Sequence, residues 1–120
     1  MTRFERITEA AAAALSVPLI PAPARGALPC AVYRYHPGQS DGAMAKSRLE
    51  VRVFAPSASA AAREMTSLRR ALVTDGDSGT LTDESGTLLI CETDEGGGEG
   101  FLRGCGMYFM KAGFEIRGRA

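Results

Sequence analysis

Two helices packed on one face of a mainly antiparallel four- to five-stranded sheet, an α+β domain, is the architecture this sequence predicts. Three observations carry that expectation. The stretch 47–73, SRLEVRVFAPSASAAAREMTSLRRALV, runs from an alternating strand into a Ser-capped amphipathic helix. A second amphipathic stretch lies at residues 3–15, and alternating segments separated by Gly-rich turns fill the C-terminal half. A strand and a helix that are each apolar on one side bury that side by packing on one another.

Taken in order, TRFE at 2–5 fits a capping box, and Phe4, Ile7, Ala11 and Leu15 trace one side of a helix that Pro18 ends. PLIPAPARGALP (18–29) is proline-rich and is expected to be extended with no ladder of its own. Cys30–His36 reads as a strand with Ala31, Tyr33 and Tyr35 on one face. The eleven residues 37–47, PGQSDGAMAKS, hold little apolar material and are expected to form a mobile loop.

In the next strand Leu49, Val51 and Val53 point one way and Glu50, Arg52 and Phe54 the other. Pro56 stops it, and Ser57 or Ser59 can accept a hydrogen bond from the first free amides of the helix. Within that helix Ala61, Met65, Leu68 and Leu72 form the apolar stripe, with Arg63 and Arg70 opposite. GTLTDESGTLLICET (79–93) predicts a hairpin turning at 83–86, and DEGGGEG (94–100) a second flexible connection. FLRGCGMYFMKAGFEIRG (101–118) completes the sheet as one strand or two, with a bend at Gly113. Two helices cover only one face of such a sheet. Since Met107 and Phe109 face one way and Tyr108 and Met110 the other, the side near Tyr108 and Met110 is expected to need another subunit as cover.

At 120 residues the chain is one domain, 1–120, with a modest core in which Ala fills little volume. No apolar run is long enough to span a bilayer, and the opening segment with its two Glu is unlike a signal peptide, so a soluble cytosolic product is expected. Cys30, Cys91 and Cys105 form no CxxC pair and are odd in number, which speaks for small buried hydrophobes rather than a disulfide framework or zinc site. The net charge is zero, yet residues 75–99 hold eight of the fourteen acids and no Lys or Arg. Such a segment ordinarily keeps loops solvated; the sharper alternative is an acidic edge that meets the basic edge of a neighbouring copy.

Catalytic signatures are missing. His36 is the single histidine, which excludes an HExxH zinc site, and it stands six residues from Cys30 on one extended strand, too far for a thiol–imidazole pair. Asp75-Gly76-Asp77-Ser78-Gly79 opens like a calcium loop but has Thr80 at position six and Gly86 at position twelve. GGGEG lacks the Lys-Ser/Thr of a phosphate loop, and Asp83 and Glu84 sit side by side at a hairpin tip rather than as an acid–base pair. Arg34, Arg48 and Arg52 could make a basic stripe, with no recognition helix or stacking platform beside them in sequence. No enzyme, metal or cofactor is expected.

The order of these elements, the strand P-C-A-V-Y-R-Y (29–35), the segment V-R-V-F-A-P-S-x-S-x-A-A (51–62) and the terminal F-E-I-R (114–117) together resemble the tail-terminator and tail-completion proteins of long-tailed bacteriophages and prophages. The similarity runs along nearly the whole chain and lies in pattern rather than in a diagnostic motif. It implies a structural subunit of a ring, commonly a hexamer, that caps the tail tube and meets the head–neck proteins, with DNA passing unread. It implies residence in the bacterial host cytoplasm during assembly and in the virion tail afterwards. The implied subunit contacts are sheet edges and loops, here Arg34, Glu50, Arg52, Tyr108 and Met110 with the loops 37–47 and 94–100. The acidic block 75–99 is not part of that family pattern. A head-closure or minor tail protein of related fold is the nearest alternative. A small-molecule-binding or enzymatic α+β domain is the alternative of another class, and it predicts a pocket around Cys30, Tyr33 and Cys105.

Overall fold

Alternation in the strands and the 3.6-residue stripe of two helices produce a two-layer α+β arrangement. The structure, a computed structural model, describes residues 2–22, 27–38, 40, 42–83 and 86–119, with backbone alone at 83 and 94–96. The elements are α1 (Arg3–Ala14), β1 (Leu19–Pro21), β2 (Cys30–His36), β3 (Met44–Ala55), α2 (Ala58–Leu72), β4 (Ser78–Asp83), β5 (Gly86–Leu102) and β6 (Met107–Arg119). The sheet order is β1-β2-β3-β6-β5-β4, six strands, or seven when the two sides of a register shift in β5 are counted apart. The expected four to five strands fall short of this. Pairing is antiparallel throughout except between β1 and β2.

Local chemistry sets the helix limits. Thr2 Oγ1 accepts from the Glu5 amide at 3.1 Å to cap α1, and Ser57 Oγ accepts from Ala60 at 3.1 Å to cap α2. Beyond α1, the Ser16 amide and hydroxyl both donate to the Glu64 carboxylate at 2.7 Å, fastening the end of one helix to the middle of the other. Arg6 Nε donates to the Thr82 carbonyl at 3.0 Å, and Arg3 donates to the Arg119 carbonyl, so α1 is also held to the far strands.

The core is the layer between helices and sheet. Ile7 and Ala11 of α1, Leu15 just beyond its end, and Met65, Leu68 and Leu72 of α2 lie against Leu49, Val51 and Val53, Leu88 and Ile90, and Ala112, Phe114 and Ile116. Phe4 leans edge-on against Tyr35 at 5.1 Å and tilts against Tyr33 at 6.1 Å, so the aromatic side of β2 also faces the helices. Among the described residues the helices cover only one side of the sheet.

Several expectations need correction. Residues 19–21 do form a ladder: Leu19, Ile20 and Pro21 pair with Ala31, Val32 and Tyr33, at a sheet edge where a proline without an amide hydrogen is tolerated. The loop expected over 37–47 is shorter, because Met44 to Ser47 pair with Arg119 to Ile116 of β6. Gly38 lies so close that a Cβ there would stand 1.3 Å from the Lys46 carbonyl oxygen. DEGGGEG is not a connection but part of β5, whose register shifts between Thr93 and Gly98; the glycine run absorbs the irregularity. The ring of Phe109 lies over Gly100, where an added Cβ would come within 2.7 Å of it. Gly113 does not break β6, being paired with Glu50 on one side and Thr93 on the other. The hairpin turns where expected, with Asp83 opposite Gly86, while Glu84 and Ser85 at its tip lie outside the described residues, as do 23–26, Gln39 and Asp41 of the two earlier loops. Among the described residues no helix is long and apolar enough to cross a membrane.

Candidate functional site

The uncovered side of β2, β3 and β6 is the most distinctive surface of the chain. Side chains alternate along a strand, so every residue of β3 between two core residues points away from the helices. β3 thereby presents Lys46, Arg48, Glu50, Arg52 and Phe54; β6 presents Phe109, Lys111, Glu115, Arg117 and Arg119; β2 presents Arg34 and His36. Seven Lys and Arg stand there against Glu50 and Glu115. A chain of zero net charge thus carries a strongly basic face.

Both acids on that face are shared. Glu115 takes Lys46 at 2.8 Å and Arg117 at 3.3 Å, while Glu50 takes Arg48 at 3.1 Å with His36 Nε2 at 3.6 Å. Among the described residues no carboxylate pairs with Arg34, Arg52 or Lys111. These three cations surround a shallow depression of about 250 Å³ with Glu50, Val32 and Phe54. Arg52 lies over the ring of Phe109, 5.4 Å from its centre, and Phe54 tilts against the same ring at 6.4 Å. The cation–π contact holds one guanidinium flat on the sheet. Unpaired cations in a depression suit an anionic group.

The five expected interface residues fall into two groups. Arg34, Glu50 and Arg52 come together on the open face, with Arg34 opposite Glu50 across β2 and β3. Tyr108 and Met110 do not join them. Their partners across the ladder are Ala55 and Val53, core residues, so both point to the helix side and the uncovered side is that of Met107 and Phe109. Met110 packs against the core, and Tyr108 stays 38% exposed, edge-on to Phe101 at 4.8 Å.

The pocket expected around Cys30, Tyr33 and Cys105 does not form as such. Tyr33 faces the helices, Cys105 is exposed on the β5–β6 turn, and Cys30 is buried on β2. Burial pushes the Cys30 thiol above its ordinary value of 9.0, which makes it a poorer nucleophile. All three cysteines are free, and among the described residues no three of His, Cys, Asp and Glu gather to hold a metal ion. Of the acidic segment, Glu92 is bound by Arg69 Nε, 3.0 Å from each carboxylate oxygen. Asp75 and Asp77 are exposed on the turn before β4, and the side chains of Asp83 and Glu84, the acid pair at the hairpin tip, lie outside the described ones.

Lys111, Arg117 and Arg119 were not picked out by sequence reasoning. The signal was present as cations two residues apart in an alternating strand, but only the placement of β6 beside β3 adds them to Arg48 and Arg52. Against models of known protein families the chain has no match, and no curated protein matches it in sequence.

Proposed function

We propose that the chain is a structural assembly subunit of the phage or prophage tail-terminator type, which forms a ring, caps the tail tube and joins it to the head–neck complex. The observation that supports this is the open sheet face: among the described residues no helix covers that side of the sheet, and its cations outnumber its acids while eight of the chain's fourteen acids lie in the segment 75–99. Such a surface suits docking rather than turnover. The pattern of elements from the first helix to the last strand supports the same reading by resemblance. In this role the subunit assembles in the host cytoplasm and resides in the virion tail, and DNA passes without sequence-specific contact. No catalytic residue or cofactor belongs to the proposal.

A second reading, a small-anion-binding domain, is favoured by one observation, the depression between Arg34, Arg52 and Lys111. Light scattering of the purified protein over a wide concentration range, with electron micrographs of the same sample, separates the two. Rings of several subunits are expected. A monomer at every concentration, with phosphate bound in the depression by calorimetry, would replace assembly with ligand binding.

A further inference from the structure

The open face shows what kind of copy-to-copy contact the chain can make. Because the cations stand on one side of the sheet, two copies meeting face to face would set positive charge on positive charge, and a two-fold contact of that kind is disfavoured. The described acids of the segment 75–99 stand elsewhere. Glu92 and Glu99 point to the helix side through their ladder partners Phe114 and Met110, and Asp75 and Asp77 protrude on the turn between α2 and β4. The backbone there is fixed from within the chain: Asp75 donates its amide to the Ser78 carbonyl at 2.8 Å, and the Asp77 carbonyl accepts from the Glu92 amide at 2.9 Å. The two carboxylates are thus presented by an anchored turn.

We propose that the basic open face seats the acidic edge of a second copy, with the turn of Asp75 and Asp77 entering the depression between Arg34, Arg52 and Lys111. This deepens the assembly reading and rests on it. The charges balance within the chain: the segment that carries eight acids has no Lys or Arg, and the total is zero. A nucleic acid is the weaker occupant, because Lys46, Arg48 and Arg117 of the open face are already engaged by Glu115 and Glu50, which interrupt the row of cations a polyanion would follow. Front meets edge, not front, so the contact is heterologous. Each copy offers one basic face and one acidic edge, and association propagates until a ring closes or a filament grows.

Two charge reversals test this. The face variant is Arg34→Glu, Arg52→Glu and Lys111→Glu; the edge variant is Asp75→Lys with Asp77→Lys. The changes lie on the surface of the sheet and on an exposed turn, and circular dichroism checks that both variants stay folded. By light scattering in low salt, each variant alone is expected to associate at least about tenfold more weakly than the parent, and an equimolar mixture to regain the loss, since each partner then offers the complementary charge. Variants that assemble like the parent, or a mixture that stays apart, would overturn the joint while leaving the assembly reading in place. A parent protein that is monomeric at every concentration in low salt would overturn both. Tight binding of an oligonucleotide of arbitrary sequence by the parent and the edge variant, lost in the face variant, without any self-association, would give the face to nucleic acid instead.

Discussion

Cys30 is buried, and burial without a charged partner favours the neutral thiol, so its proton is held to a higher pH than in the unfolded chain. The stability this contributes is full below the ordinary thiol value of 9.0 and is lost as the pH climbs beyond it, because the unfolded thiol ionises first. Denaturant melts at rising pH should show a smaller alkaline loss in Cys30→Ala than in the parent. Thiol labelling of the folded protein should strike exposed Cys105 well before Cys30. Gly38 is a second residue whose identity follows from its neighbours. With the Lys46 carbonyl oxygen 1.3 Å from where a Cβ would sit, Gly38→Ala must push two backbone segments apart. A loss of about 2 kcal/mol in urea unfolding is expected, in the range of overpacking.

The β5–β6 pair is the element whose sidedness was hardest to read. The alternation of Met107, Tyr108, Phe109 and Met110 was plain, but apolar residues on both sides leave the buried side undecided until the strand has a neighbour. Pairing with β3 decides it, since Val53 and Ala55 bring Met110 and Tyr108 to the helix side. Met110→Asp should therefore cost about 3 kcal/mol of monomer stability through a carboxylate set against the core, whereas Tyr108→Asp should cost far less. Equal effects in thermal melts would contradict the register. The other elements were more legible for a physical reason. The α2 stripe Ala61, Met65, Leu68 and Leu72 has one apolar side and a serine cap, so period and capping agree. β1 and the glycine-rich half of β5 escaped notice because neither carries a side-chain pattern; their pairing is a backbone property supplied by β2 and β6. The basic face was legible only in part. Arg34 and Arg52 could be named from alternation, but which strands lie side by side is not written in any one segment.

As a whole the molecule is elongated, 46 × 28 × 24 Å, with eight of its fourteen acids in the segment 75–99 and seven of its fourteen Lys and Arg on the open face of β2, β3 and β6. Association through such surfaces is screened by salt, whose reach is about 10 Å at 0.1 M and about 3 Å at 1 M. Assemblies of the parent protein should weaken steadily over that range in sedimentation velocity. A salt-insensitive assembly would point instead to apolar contacts such as Leu89 and Met44, which are 42% and 49% exposed on the same face.

The position of β6 bears on how the chain becomes one body. It is the last strand in chain order yet lies between β3 and β5, and the strands on its two sides pair with each other only through it. A chain emerging from its N-terminal end offers two half-sheets, β1 to β3 and β4 to β5, before the strand that joins them exists. Each half meanwhile exposes a bare edge, and the contacts that close the sheet span long sequence distances, the slow class of pairing. The same unfinished edges can accept a β6 from a neighbouring chain, so exchange of that strand between copies is the misassembly to which this topology is most open.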